Sequence, residues 1–234
     1  ELFVIVTEQP PYILPAFRNI VLTGIERSDV LFPAAFVTLK EMLFGFFCGV
    51  TAGLLVGTAI HFSRLLRLGL LPIVIGSQAI PIIAIAPILI IWFGFGMAPK
   101  IIVVALITFF PVAVNTVAGL SSIDREMVNL MESLGASARQ VYLKVYVPGA
   151  LPFVFAGIKT AAAIAAIGAI VGEWVGANEG LGPVMIAAMA GFQTTMVFAA
   201  IFYLAVMAMT MFALVNVAER LVIPWYFISK VVRK

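Results

Sequence analysis

The chain has 234 residues, of which 63% are hydrophobic and 11% charged, and its mean hydropathy is +1.17. A soluble domain carries about 45–50% apolar and about 25% charged residues, so this composition excludes an ordinary water-soluble fold and points to a bilayer. The net charge of +3 and pI near 9.2 call for no nucleic-acid partner, because basic residues beside membrane spans account for them.

Residues 2–6, Leu-Phe-Val-Ile-Val, read as the outer end of an apolar helix whose start is missing, a truncated first span. No basic stretch followed by a short apolar region and a small-residue cleavage site occurs, so no cleaved signal peptide is read within the chain. The Pro10-Pro11-Tyr12-Ile13-Leu14-Pro15 segment is too rich in proline for a helix.

A bilayer core takes about 20 apolar residues per helix. Five long runs meet that need: 43–60, 68–95 and 101–120 hold no charged residue, 147–172 holds only Lys159, and 181–218 again holds none. The last is long enough for a full span and a short half-helix. Cys48, the single cysteine, lies inside the first complete run and reads as a small packing residue. Pro72, Pro81 and Pro87 fall within run 68–95 and predict a kinked helix whose freed carbonyls face protein or a water-filled pathway. Gln78 and Asn115 are polar residues at membrane depth, either lining such a pathway or bonded to another helix.

The segment 121–146 is too long and too patterned for a plain connection. Ile123, Met127, Leu130, Met131 and Leu134 recur at helical spacing, as do Ala138, Val141, Tyr142 and Val145 after Gly135-Ala136-Ser137. Two short amphipathic helices are expected. Gly135 would take the left-handed conformation closing the first, and Ser137 with Gln140 would form a capping box opening the second. Ser121 with Asp124 offers a similar opening for the first. Such a hairpin either docks a partner or lies on the membrane.

Lys159 stands twelve residues beyond Val147, about 18 Å by helix rise. Ionisable residues at that depth face protein or water, so Lys159 is a candidate for the pathway, for an interhelical contact or for snorkelling. Glu173 and Trp174 close the same run, with Trp174 as an interfacial anchor and Glu173 a candidate for an outer gate or for docking an external protein. His61, near Arg64, reads as interfacial. The ten Met residues read as core filler, and no metal-ligand set is recognised.

If the chain crosses at each run, Arg64, Arg67, Arg125, Arg139, Lys144, Arg220, Lys230, Arg233 and Lys234 share one side, against Arg18, Arg27 and Lys100 on the other. The positive-inside rule makes the first side cytoplasmic. No Gly-x-x-x-x-Gly-Lys-Ser/Thr loop occurs, so any nucleotide energy must come from another polypeptide.

The hairpin resembles the coupling motif of ABC import permeases: a Glu-Ala-Ala triplet, three residues, Gly, nine residues, then Ile-x-Leu-Pro. Here Gly135 is followed after nine residues by Val145-Tyr146-Val147-Pro148, while Asn129-Leu130-Met131 replaces the triplet and Glu132 stands beside it. Further along the chain, Gln78-Ala79-Ile80-Pro81, Ala86-Pro87, Trp92-Phe93-Gly94-Phe95-Gly96, Lys100, Phe110-Pro111, Asn115-Thr116 and Gly119-Leu120 are similar to the nitrate/sulfonate/taurine branch. So are Ser133-Leu134-Gly135-Ala136-Ser137, Leu151-Pro152, Gly157, Gly172-Glu173, Gly180-Leu181-Gly182 and Pro224-Trp225.

The resemblance implies an all-α polytopic permease over residues 1–234, of the type I importer fold, with about six spans, the first truncated. It implies that residues 121–147 are cytoplasmic coupling helices, with Asn129, Glu132, Ser133, Leu134, Gly135, Ala136, Ser137, Arg139 and Pro148 as the ATPase-coupling set. It further implies a homodimer in the inner membrane, in contact with lipid, with two ATP-binding subunits and a periplasmic or lipid-anchored solute-binding protein. ATP and Mg would reside on the partner subunits, and this chain would carry no catalytic residue and no cofactor. Gln78, Pro81, Asn115, Lys159 and Glu173 are the pathway or gate candidates. On the residues alone two rivals stay open: a gradient-driven secondary transporter using Lys159 and Glu173, and a non-transporting membrane scaffold.

Overall fold

The computed structural model describes residues 13–226, so the truncated span expected at residues 2–6 and the basic residues 230–234 lie outside the described residues. Among the described residues all regular structure is helical: α1 Phe17–Glu26, α2 Ser28–Phe62, α3 Arg64–Ser77, α4 Ile82–Phe93, α5 Met97–Ser121, α6 Arg125–Ser133, α7 Ala138–Gly176, α8 Leu181–Ala190 and α9 Thr194–Val222. In a hydrocarbon solvent every backbone N–H and C=O must find its partner inside the segment, which favours helices over open strands.

Four helices, α2, α5, α7 and α9, are long and apolar enough to cross a membrane. The run 68–95 forms two helices, α3 and α4, that are long and apolar enough only when taken together, as a broken span or a re-entrant loop. That break corrects the expected kinked helix. Pro72 and Pro87 sit inside α3 and α4, whereas Pro81 is the N-cap of α4, and its ring drives the preceding backbone out of the helical region. The run 181–218 divides into the short α8 and the spanning α9.

The first complete span is longer than its uncharged run. α2 covers 35 residues, about 52 Å of helix. Lys40 and Glu41 lie in its interior instead of ending it: the Lys40 ammonium sits 4.3 Å from the Phe36 ring centre, and Glu41 is paired. Lys100, expected in a loop, is instead a buried residue in the first turn of α5. Cys48 lies exposed on α2, not in the packed interior.

The chain forms two compact units, the first built from the residues up to Gly45, Pro81–Val104 and Ile164–Thr210. Its core joins Leu31, Ala34 and Ala35 of α2 to Ile170 of α7, Leu181 and Met185 of α8, and Ala199 and Ala200 of α9. Small residues dominate because lipid gives helices no hydrophobic reason to associate, and close backbone approach supplies the dispersion energy instead.

The second unit comprises Phe46–Ile80, Ala105–Ala163 and the chain from Met211 on. Here Gly53 and Gly57 of α2 lie directly on α5: a Cβ at Gly53 would stand 2.8 Å from the Val112 Cβ, and one at Gly57 would stand 2.8 Å from the Ala113 carbonyl. Gly157 of α7 approaches α5 as closely, 2.7 Å from the Pro111 carbonyl by the same construction. In this unit α5 is held by bare backbone on two sides.

Candidate functional site

In the second unit, the hairpin expected at 121–147 forms around the residues named for it, with two changes. Asp124 alone caps α6, its Oδ1 accepting from the Glu126 N–H at 2.9 Å, while Ser121 is the last residue of α5. The second arm is no separate helix. It runs from Ala138 through a wide π turn at Tyr142–Tyr146 into the span, making α7 one element of 39 residues. The wide turn falls just before Pro148, which has no N–H to offer the Lys144 carbonyl one normal turn back.

The joint between the arms matches its sequence. Gly135 takes φ +81° after α6, and the Ala136 N–H reaches the Met131 carbonyl at 3.0 Å, closing the helix end. Ser137 and Gln140 form the reciprocal capping box: the Gln140 side chain accepts from the Ser137 N–H at 2.8 Å, and the Ser137 hydroxyl accepts from the Gln140 N–H at 3.4 Å. The Ser133 hydroxyl donates to the Asn129 carbonyl at 2.8 Å. Ala136 is half-buried, Arg139 is exposed at the start of α7, and Pro148 is half-buried.

One face of α6 turns inward. Val128 and Met131 are half-buried, and Ile123 just ahead of the helix packs against Gly149. The other is open, with Met127 56%, Leu130 61% and Leu134 74% exposed. Met127 and Leu130 of α6 and Leu134 at its C-terminal cap thus leave an apolar patch uncovered.

Elsewhere in this unit, Lys159 meets Glu219 of α9 at 3.0 and 2.8 Å, so an interhelical ion pair accounts for its presence within a span. Lys159→Met should cost about 1.5–3 kcal/mol by leaving the buried Glu219 carboxylate without its donor. Lys159→Met with Glu219→Gln should recover most of that loss in a thermal unfolding series. The Asn115 amide donates to the Pro111 carbonyl of its own helix at 2.8 Å. Gln78 is exposed where α3 ends, and Pro81 is exposed at the start of α4.

Glu173 lies in the first unit, and it is 1% exposed. Its carboxylate accepts from the Thr38 hydroxyl at 2.6 Å and from the Gly182 N–H at 2.5 Å. The Thr38 oxygen in turn accepts from the Leu181 N–H at 3.0 Å. The first two N–H groups of α8 are thus satisfied from outside the helix, and a carboxylate at a helix N-terminus is also favoured by the helix dipole. Glycine flanks Leu181 for this reason. Gly180 takes φ +115° and a side chain there would overlap the Glu173 carboxylate, while a Cβ at Gly182 would stand 2.6 Å from the Glu173 Cβ. The Glu173 carboxylate is thus turned into the protein and held by two donors.

Beside it sits a group the uncharged-run reading missed. Glu41 of α2 is 0% exposed, and its Oε1 accepts from the Lys100 ammonium at 2.7 Å. Gly172 lies against the Lys100 stem, and the carboxyl groups of Glu41 and Glu173 interact electrostatically. Two acids and one ammonium are therefore enclosed together. A cavity of about 240 Å³ reaches Glu41 and Lys100 and is also lined by Gly96, Asn178 and Glu179. Among the described residues no three His, Cys, Asp or Glu side chains are grouped to hold a metal.

Residues 49–225 match the family described as binding-protein-dependent transport system inner membrane component. The formylaminopyrimidine transport permease protein of Halalkalibacterium halodurans is 38% identical, over 92% of this chain and 86% of its own length. The riboflavin transport system permease protein of Chloroflexus aurantiacus is 38% identical over 85% and 74%, and the taurine transport system permease protein of Escherichia coli 31% over 81% and 69%. A chain of the inward-facing MetNI methionine ABC transporter shares the fold, with a TM-score of 0.73 at 21% identity over 84% of this chain and 98% of that one. Apolar crossings, fold and relatives agree: the chain belongs to the inner-membrane components of binding-protein-dependent transport systems, as a multi-pass permease subunit of an ABC importer for small solutes.

Proposed function

We propose that two copies of this permease form one solute pathway, driven by two ATP-binding subunits that grip the hairpin at residues 121–147 from the cytoplasm. The observation that carries this reading is the uncovered face of α6, Met127, Leu130 and Leu134, presented beside the rigid joint at Gly135. Asn129, Glu132, Ser133, Ala136, Ser137, Arg139 and Pro148 surround it. ATP and Mg²⁺ reside on the ATPases, whose closure pulls the hairpins together and switches the pathway, and hydrolysis resets it.

A solute-binding protein delivers the solute from outside, near Gly96 and Gly180. The break between α3 and α4, with Gln78 and Pro81 uncovered, supports a position on the pathway, because non-helical backbone at membrane depth is tolerated where it lines a cavity. Asn115 is a further pathway position, Lys159 braces the pathway helices through its pair with Glu219, and Glu173 stabilises the outer end of the pathway by holding α8. The solute is a nitrogen heterocycle of the vitamin or vitamin-precursor class. The relatives named for formylaminopyrimidine and riboflavin transport are closer in sequence than those named for sulfonates and taurine.

Reconstitution in liposomes tests the reading. Uptake of labelled formylaminopyrimidine should require the ATPase subunits, the binding protein and ATP together, and should exceed taurine uptake at least tenfold. Uptake by the permease alone on an ion gradient would replace the proposal with a secondary transporter.

A further inference from the structure

In the second unit, a polar cavity of about 380 Å³ opens behind α6, lined among others by His61, Arg67, Ser121, Arg125 and Asn129. Arg67 is held in place there. Its Nη2 donates to the Ser121 hydroxyl at 2.9 Å and to His61 Nδ1 at 3.1 Å. Guanidinium has no acceptor, so His61 Nδ1 must be the lone-pair nitrogen, and the neutral ring keeps an N–H at Nε2. Two of the five guanidinium N–H groups are therefore spent on orientation, and the others are engaged by no described residue.

Neither Arg67 nor Arg125 has a carboxylate within 4.0 Å among the described residues; the ion pairs found there are Lys100–Glu41 and Lys159–Glu219. Glu132 is the single acid on the wall, against two guanidinium groups, the hydroxyls of Ser121 and Tyr146 and the Asn129 amide. Arginine forks match phosphate oxygens two at a time, and an oriented fork loses less freedom on binding than a free one. The volume exceeds what a bare carboxylate needs. Phe62 and Tyr146 form an apolar wall, and Leu65 and Leu68 flank Arg67 in sequence as exposed residues, a setting in which a phosphate could carry an acyl-bearing ester.

We propose that this cavity is a phosphate-binding site, with Arg67 and Arg125 holding the anion and Ser121 and His61 fixing Arg67. The phosphate is either that of an anionic phospholipid headgroup or free in solution.

The full permease with its ATPase subunits is placed in phosphatidylcholine nanodiscs and titrated with phosphatidylglycerol in one arm and inorganic phosphate in the other. Bound lipid is read by native mass spectrometry, and bound phosphate by isotope retention. Saturable binding in either arm, at least tenfold weaker in Arg67→Ala with Arg125→Ala and unchanged in the remote Arg27→Ala, supports the site and identifies the source. Arg67→Lys, which keeps the charge and loses the fork, should weaken binding severalfold without loss of assembly. No saturable binding to the wild type in either arm overturns the proposal. So does binding that the arginine substitutions leave intact, or substitutions that weaken ATPase attachment while phosphate binding stays the same, which would make the arginines a protein contact.

Discussion

Lys100→Met should lower the stability of the permease by about 3–5 kcal/mol, the cost of removing one partner from a buried ion pair. The reason is geometric. The Lys100 ammonium is the cation enclosed with Glu41 and Glu173, and it donates to Glu41 at 2.7 Å. Without it, Glu41 loses its cationic partner and is left beside the carboxyl of Glu173. Glu173 would still hold Thr38 and Gly182. Adding Glu41→Gln to Lys100→Met removes the stranded charge, so the double variant should be more stable than Lys100→Met alone. Unfolding midpoints of wild type, Lys100→Met, Glu41→Gln and the double variant in detergent give the coupling directly. Equal midpoints for wild type and Lys100→Met would show that the pair carries no energetic weight.

Gly135→Trp should lower solute uptake per ATP hydrolysed at least tenfold. Within this chain a Cβ at Gly135 meets nothing within 4 Å, so the first atom of a side chain is admitted without a clash. Two sources remain. A non-glycine residue at φ +81° carries roughly 1–2 kcal/mol of left-handed strain, and the side chain occupies space beside the open α6 face that the proposed ATPase contact requires. Gly135→Asn separates them. Asn tolerates the left-handed conformation, so this variant should retain most of the coupling if the joint's shape is what matters. Hydrolysis and uptake measured in the same proteoliposomes decide the matter, and full coupling in Gly135→Trp would remove the hairpin from the proposed drive.

The hairpin was legible because its signals are local: a capping box needs only Ser137 and Gln140, and a left-handed closure only Gly135. The buried charges were not. Counting uncharged runs ends the first crossing at Leu43 and the last at Ala218, which places Glu41 and Glu219 just outside the runs. Each is acceptable inside a helix only because a lysine from a distant segment reaches it, and pairing across 59 or 60 residues leaves no spacing pattern to read. Glu173 was found as a candidate for an outer gate or for docking, but its hold on α8 was not, since nothing in Gly180-Leu181-Gly182 alone announces that the helix behind it needs a carboxylate cap. The break at Pro81 shows the same limit. Three prolines in one run look alike in sequence, yet Pro72 and Pro87 stay inside helices and only Pro81 stands at a helix start.

The glycine contacts around α5 bear on how this half of the molecule can move. Side chains can swivel to let two helices shear past one another, but backbone pressed on backbone offers no such give, and a slip of even one residue, about 1.5 Å, would bring methyls where Gly53, Gly57 and Gly157 now admit carbonyls. These stretches of α2, α5 and α7 should therefore travel as one slab during a transport cycle, with the sliding confined to softer seams.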